Sequence, residues 1–196
     1  MARRAGPPPG FTLVELSITL AVMAVLGAIA TPPFSALVAR QRLLGAARHL
    51  QADIALARHE SGRRGQAVTV QFQPGHQWCY AVSTGPPGDC RQARPGPASG
   101  VIKVVTAAEH PGIDLLDASA MALHAGSGAS MQSLRAGGHA RFGLAAGLPE
   151  PLQVQVQVQV QVQVQVRLGP QGRASLCAPA APVAGITACP LAPPAS

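Results

Sequence analysis

The hydrophobic and polar positions divide the chain into a long apolar run, an amphipathic helix and a series of short strands. The apolar run extends from Phe11 to Ala30 and contains one charged residue, Glu15. About 20 apolar residues, folded as a helix, span the hydrocarbon core of a bilayer. We therefore predict a membrane-spanning helix in residues 11–33, preceded by a proline-rich segment, residues 1–10.

A second helical pattern follows the apolar run. Pro32 and Pro33 should bend or interrupt the helix, because each proline removes a backbone donor. Beyond them, residues 34–65 carry apolar side chains at every third or fourth position. The members of this stripe are Leu43, Ala47, Leu50, Ile54 and Ala57. The stripe predicts an amphipathic helix that lies against a sheet, and Gly62 and Gly65 predict its end.

Residues 66–178 contain short alternating runs that predict an antiparallel β domain. Residues 67–72 and 78–82 alternate on either side of a Pro-Gly turn, which is typical of a hairpin. Further strands are predicted at residues 101–105, near Leu115, at 140–144 and at 173–177. The pattern between 107 and 139 is otherwise weak, so we expect loops there. Residues 179–196 are rich in Pro and Ala and are predicted to form a tail.

Residues 153–166 consist of seven consecutive Gln-Val repeats. Strict alternation predicts a strand with valine on one face and glutamine on the other. Its extended length of about 46 Å exceeds that of an ordinary strand. If the pairing shifts by two residues, every valine and every glutamine stays on the same face of the strand. The register of this strand is therefore poorly specified. Two interpretations stay open: an expansion of one ordinary strand, which we favour, and an edge that exchanges strands between copies in an assembly.

The charge balance suggests export and a basic outer domain. Arg3 and Arg4 precede the apolar run, so the positive-inside rule places the N-terminus in the cytoplasm and the rest outside. The net charge is +7, and Lys103 is the only lysine. A basic exported domain suggests affinity for polyanions such as DNA, lipopolysaccharide or a membrane surface. Simple solubility explains the same charge equally well.

Four cysteines lie in two local pairs, Cys79 with Cys90 and Cys177 with Cys189. None has the C-x-x-C spacing of a zinc site. In an oxidising compartment they are expected to form disulfides. The local pairing is the one we favour among three connectivities, and one pair staying reduced is the alternative.

The sequence offers no candidate for catalysis. The six histidines show no metal-ligand spacing, and a phosphate-binding loop of the Walker type and a nucleophile elbow are both missing. We therefore predict a protein that is not an enzyme and that binds no cofactor and no metal.

The start of the apolar run resembles the processing signal of type IV prepilins and type II secretion pseudopilins. Gly10, Phe11 and Glu15 stand at the spacing of that motif, ahead of about 15 more apolar residues. The resemblance implies that residues 1–10 are a leader, that a prepilin peptidase cuts between Gly10 and Phe11, and that Phe11 is then N-methylated. It also implies that Glu15 pairs with the N-terminal amine of a neighbouring subunit. A plain anchor or a secretory signal peptide is the alternative interpretation.

The rest of the chain resembles the GspH/FimT group of minor pseudopilins and minor pilins. The resemblance rests on the early tryptophan hairpin and on Gly172-Arg173 followed by Cys177. It implies an α+β, pilin-like fold in which a long N-terminal helix, membrane-spanning in its first half, packs on an antiparallel sheet. It further implies a single-pass inner-membrane subunit with a periplasmic domain, which helps to initiate or cap a secretion pseudopilus or a type IV pilus. Its partners would be the prepilin peptidase and other pilin or pseudopilin subunits.

The alternative function is a pilus-associated DNA receptor for natural transformation. Some members of the group bind DNA through a C-terminal Gly-Arg-x-Arg motif. Here the first arginine is Arg173, and Ser175 replaces the second, which removes one phosphate contact. Arg167 is the residue that would compensate. The simpler interpretation is that Arg173 belongs to a turn and faces water.

Overall fold

The fold is taken from a computed structural model of the chain. It describes residues 11–85, 88–131, 138–145, 163–179, 183 and 185–189, and within 28–36 it describes the helix but not the side chains. The predicted leader, residues 1–10, and most of the Gln-Val repeat, residues 153–162, lie outside the described residues. The chain divides into two compact units, Met1–Val38 and Ala39–Ser196.

Helix α1 runs from Leu13 to Arg64, and its first part is apolar on all sides. Thr12 caps the start, because its Oγ1 accepts a hydrogen bond from the N–H of Glu15 at 3.2 Å. The hydroxyls of Ser17 and Thr19 donate to carbonyls three residues earlier, so their polar atoms are bonded within the helix. Within residues 11–26, the large apolar side chains that are more than half exposed are Phe11, Leu13, Val14, Leu16, Ile18, Leu20, Val22, Met23, Val25 and Leu26. A helix with no polar face is suited to an apolar environment.

The predicted membrane span stays a prediction. Within the described residues, no helical stretch combines the length and the apolar character that crossing a membrane requires. The side chains of residues 28–33, which belong to the predicted span, lie outside the described set. The helix is assigned without a break through Pro32 and Pro33, so the predicted interruption is not found. Each proline removes only its own backbone donor, and a bend at this point stays a prediction.

The part of α1 in the second unit buries one apolar stripe. All five residues of the predicted stripe have no exposed surface: Leu43, Ala47, Leu50, Ile54 and Ala57. The helix ends at Arg64, and Gly65 follows with a φ of 62°, the left-handed conformation that glycine adopts most readily after a helix. The amphipathic pattern and the predicted helix end therefore both match the structure.

The remainder of the second unit is an antiparallel β domain. In the described part of the chain its strands are β1 (Val68–Gln73), β2 (Cys79–Ser83), β3 (Val101–Thr106), β4 (Ile113–Ala118), β5 (Met121–Leu123), β6 (His139–Leu144), β7 (Gln163–Leu168) and β8 (Ala174–Cys177). One turn of 3-10 helix, Ala107–Glu109, follows β3. One sheet has the order β3-β2-β1-β5 and the other has the order β4-β6-β7-β8. A long helix packed on antiparallel sheets confirms the predicted α+β, pilin-like fold.

The two sheets share one core with the buried stripe of α1. In β7, Val164 and Val166 are fully buried, and they lie opposite Phe142 and Ala140 of β6. The glutamines of β7 alternate with these valines and are half-buried. Complete burial of one large apolar side chain contributes about 1.5–3 kcal/mol, so this alternation fixes which face of the strand is inside.

The structure corrects the sequence prediction in three places. β5 lies in a region that was expected to form loops, and it exists because its three residues pair with β1 and bury Met121 and Leu123. β7 continues past the repeat to Leu168, which is also buried. Val183, in the segment that was predicted as a tail, is buried in the core.

The turn before β8 generates the first testable prediction. Gly172 has a φ of 70°, and a Cβ there would lie 1.8 Å from the carbonyl oxygen of Gly128. Gly172→Ala should lower the free energy of unfolding by roughly 2 kcal/mol or more, because it adds backbone strain and a clash with backbone. Urea denaturation of the detergent-solubilised full chain measures this.

Gly45→Ala is the matched control for that substitution. Gly45 is an exposed helical glycine whose Cβ would meet nothing within 4 Å. Alanine should raise stability there by up to about 1 kcal/mol. Equal effects of the two substitutions would contradict the close approach of the two turns.

Candidate functional site

The first candidate site is the start of α1. Phe11 is 84 % exposed, and Glu15 is exposed in the first turn of the helix. A carboxylate in the first turn interacts favourably with the helix dipole. Among residues 11–27, Glu15 is the only charged residue. It therefore places one negative charge in a largely apolar surface. Gly10, the residue predicted to precede the cleavage, lies outside the described residues.

The second candidate site is a cleft of about 780 Å³ in the second unit. Its lining residues come from the last turns of α1, from the Ser127 loop and from the turn before β8: Gln51, Ala55, Arg58, His59, Gly62, Arg63, Ser127, Gly172, Arg173 and Ala174. Arg173, predicted from the sequence as a possible DNA contact, therefore lies in the cleft beside two arginines of the helix.

The walls of the cleft are held together by hydrogen bonds to backbone carbonyls and by close packing at a glycine. The side-chain amide of Gln51 donates a hydrogen bond to the carbonyl of Ala174 at 2.9 Å. The backbone N–H of Gly126 donates to the carbonyl of Ser61 at 3.2 Å. Gly128 leaves room for Arg58, because a Cβ at this position would lie 2.5 Å from Arg58 Cγ. These contacts fix the Ser127 loop and β8 against α1.

The cleft is basic. The described residues that line it include three arginines and no carboxylate. Beside the cleft, Glu60 accepts hydrogen bonds from Nε and Nη2 of Arg63, at 3.1 and 2.8 Å, and one from Nε of Arg64. These hydrogen bonds lower the pKa of Glu60 to about 2, so it is ionised at neutral pH. Planar guanidinium groups suit phosphate and carboxylate oxygens, so the cleft is suited to an anion.

Arg167 does not line the cleft. It lies in β7, opposite His139 of β6 and Ser175 of β8. Directly opposed residues of an antiparallel pair share a face of the sheet. Arg167 is therefore the cross-strand neighbour of the position at which the second arginine of the Gly-Arg-x-Arg motif would stand. Eight residues separate Arg167 from Ser175 in the sequence, so their proximity follows only from the pairing of β7 with β8.

The structure contains both local disulfides, Cys79–Cys90 and Cys177–Cys189, with Cα–Cα distances of 6.0 and 4.7 Å. This is the connectivity that the sequence analysis favoured. Asp89 lies close to the first pair, but both sulfur atoms are used in the disulfide and are not thiolate ligands for a metal. Cys79 and Cys90 are buried and join the long connection after β2 to that strand.

The second sheet carries a hydrogen-bonded network of a serine, a histidine and an aspartate: Ser119, His139 and Asp117. Ser119 Oγ is 3.2 Å from His139 Nδ1, and His139 Nε2 is 2.8 Å from Asp117 Oδ2. The serine oxygen also accepts the backbone N–H of His139 at 3.0 Å, and none of the three residues lines the cleft. The hydrogen bond from His139 lowers the pKa of Asp117. These hydrogen bonds connect the end of β4 to the start of β6. The arrangement is structural and is not that of a nucleophile activated at a binding site.

Comparisons with known proteins assign the family. The family profile described as "Type II transport protein GspH" matches residues 46–165, which is more than half of the chain. The profile described as "Prokaryotic N-terminal methylation motif" matches residues 9–31. The chain belongs to the GspH family. The predicted membership of the GspH/FimT-like minor pseudopilins is thereby confirmed.

Two solved structures are similar to this GspH-family chain. Both are crystal structures of the type IV minor pilin FimU from Pseudomonas aeruginosa (strain PAO1), at 14% identity. One match covers 71% of this chain and 94% of that chain with a TM-score of 0.44. The other covers 70% and 97% with a TM-score of 0.42. A comparison with curated proteins finds no match.

The GspH-family domain of this chain contains a polar network that the sequence analysis missed. Asp53 of α1 is 4 % exposed and accepts hydrogen bonds from the Tyr80 hydroxyl and the Lys103 ammonium, each at 2.7 Å. Burial and then the Asp53 carboxylate raise the pKa of Tyr80 far above its ordinary range, so its hydroxyl stays a donor. The sequence contained two signals of this network. Asp53 directly precedes Ile54 of the apolar stripe, and Lys103 is the only lysine in the chain.

Asp53→Asn tests this network. The substitution keeps the size of the side chain but leaves the Lys103 ammonium without its anion. We expect a loss of roughly 1–3 kcal/mol in the free energy of unfolding, reduced by the partial exposure of Lys103. Urea denaturation measures it. Tyr80→Phe is the control: it removes one neutral donor and should cost about 1 kcal/mol. An Asp53→Asn variant as stable as the wild type would contradict the assignment.

Proposed function

We propose that this GspH-family chain is a minor pilin or pseudopilin that is processed between Gly10 and Phe11, methylated at Phe11, and assembled through the first part of α1. The observation that supports this most directly is the exposed apolar surface of residues 11–26, interrupted by the single carboxylate of Glu15. The match of the methylation motif to residues 9–31 covers the same segment.

Charge pairing gives Glu15 a role in assembly. An ionised side chain among apolar groups is costly unless a partner is present. Cleavage before Phe11 would create a positive amine within about one helical turn of Glu15 along the chain. In a bundle of parallel helices, the amine of one subunit would pair with Glu15 of its neighbour. Each charge would then remove the desolvation penalty of the other.

The proposed location is the bacterial inner membrane with the globular domain in the periplasm. Arg3 and Arg4 before the apolar segment favour a cytoplasmic N-terminus. Two disulfides suit an oxidising compartment such as the periplasm. The proposed partners are the prepilin peptidase, the membrane and other subunits of a filament, in which this chain would help to initiate or cap assembly.

A type II secretion pseudopilus and a type IV pilus are both compatible with this role, because they share the same helix and processing. A deletion strain separates them. Loss of secretion with unchanged pilus number assigns the chain to the secretion pseudopilus, and loss of pili with normal secretion assigns it to the pilus.

Glu15→Gln tests the assembly role. The amide has nearly the size of the carboxylate but does not carry its charge, so we expect normal removal of the leader and strongly reduced incorporation into filaments. Immunoblotting of sheared filament and membrane fractions measures both. Ser17→Ala, which changes a hydroxyl bonded within the helix, is the control and should assemble normally. Undiminished incorporation of Glu15→Gln would refute the charge pairing.

A second candidate function is a DNA receptor, and the basic cleft is the observation that favours it. Arg58 and Arg173 line one concave surface together with Arg63, which is also paired with Glu60, and no carboxylate is among its described lining residues. Arg167 lies beside Ser175, where the DNA-binding motif has its second arginine. Together they would offer guanidinium groups to successive phosphates of a nucleic-acid backbone.

A salt series tests the second function. Duplex DNA should bind the detergent-solubilised full chain more weakly as salt rises, and Arg173→Gln should weaken binding and reduce the salt slope by about 1. Arg42→Gln is the matched control, because Arg42 is exposed on α1 and does not line the cleft. Equal loss in both variants would indicate nonspecific charge, and no binding at low salt would refute the receptor function.

A further inference from the structure

Two histidines meet where α1 packs against the connection between β3 and β4. His49 Nδ1 of the helix lies 2.9 Å from His110 Nε2, although 61 residues separate them. His49 Nε2 lies 2.9 Å from the ammonium of Lys103. The same ammonium bonds to Asp53, so the chain of contacts continues from His110 to the buried carboxylate.

The donors and acceptors of this chain fix the protons on both imidazoles. An ammonium has donors only, so His49 Nε2 must accept from Lys103. His49 Nδ1 therefore carries a proton and donates it to His110 Nε2. Each ring in this arrangement is neutral and holds one proton, and there is no site between the rings for a second.

A further proton cannot be added without breaking a contact. Protonation of His110 would place two N–H groups face to face at a separation of 2.9 Å. Protonation of His49 would place an N–H against the Lys103 ammonium. Asp53 Oδ2 lies 3.8 Å from His49 Nε2, and Asp53 already accepts hydrogen bonds from Lys103 and Tyr80.

The groups around His110 keep it neutral at neutral pH. Burial, and then the neighbouring His49, lower the pKa of His110, and Lys103 acts in the same direction. Glu109 and Asp53 oppose this shift but do not reverse it. The stabilisation by the contact is therefore complete above the ordinary imidazole pKa of about 6.5 and is lost as the pH falls through the lowered value.

His110 also stacks on Trp78, the only tryptophan in the chain. The two ring centroids are 5.9 Å apart with an interplanar angle of 15°. Trp78 is 1 % exposed and donates its indole N–H to the carbonyl of Ile113, just beyond the connection that carries His110. A change at His110 therefore acts directly on the environment of one fluorescent residue.

We propose that the contact between His49 and His110 is an acid-sensitive latch that holds the connection of residues 107–112 against α1. Acid opens the latch, while the Lys103–Asp53–Tyr80 contacts keep the helix on the first sheet. The result is a local release of the connection and not unfolding of the domain.

Fluorescence of Trp78 in the detergent-solubilised full chain, titrated from pH 8 to pH 5, tests the latch. The wild type should show a one-proton change in emission with a midpoint below about pH 6.5 and unchanged far-UV circular dichroism. His110→Gln should lose this transition. His139→Gln is the control, because His139 bonds to Asp117 and Ser119 in the second sheet, and it should titrate as the wild type does.

Either of two results would overturn the proposal: no transition in the wild type, or the same transition in His110→Gln. If His110→Gln does not fold, NMR of histidine ring carbons in the wild type decides the question. The His110 ring should stay neutral to a pH below the ordinary imidazole pKa of about 6.5. Titration of the His110 ring at or above that ordinary value would refute the latch.

Discussion

One face of the second half of α1 has to be removed from water, and the rest of the domain is arranged around that requirement. Leu43, Leu50 and Ile54 are completely buried, and each contributes about 1.5–3 kcal/mol by burial. Both sheets contribute residues to the same core. A strand such as β7 presents valine inward and glutamine outward because only that facing covers the helix. Residues of α1 and of the β domain together form both the cleft and the histidine contact.

Polar groups between α1 and the sheets determine the position of the helix more than they add to the free energy of unfolding. Asp53 is buried beside the apolar stripe and is bonded to one donor from β2 and one from β3. An ion pair that is partly desolvated gains little net free energy, but separating its members is costly. The Asp53 contacts therefore select one position of the helix on the first sheet. Gln51 does the same for the second sheet through its bond to Ala174.

Local patterns in the sequence were sufficient to predict most of the helix and strands, but not the residues that meet across the fold. The helical stripe, the end at Gly65 and strands with clear alternation follow from neighbouring residues, so they could be predicted. β5 could not, because three residues carry little periodicity and the strand depends on its pairing with β1. The proximity of His49 to His110, of Arg58 to Arg173 and of Arg167 to Ser175 depends on tertiary packing and strand register. A motif search along the chain cannot detect these neighbours.

The central claim is that the first part of α1 is an assembly helix exposed by cleavage after Gly10. The mass of the intact chain, recovered from a sheared filament fraction, tests this claim most directly. We predict the loss of residues 1–10 and the gain of one methyl group on Phe11, and we predict that Gly10→Ala retains the leader. A chain that keeps residues 1–10, or that is cut after the apolar run, would contradict the account.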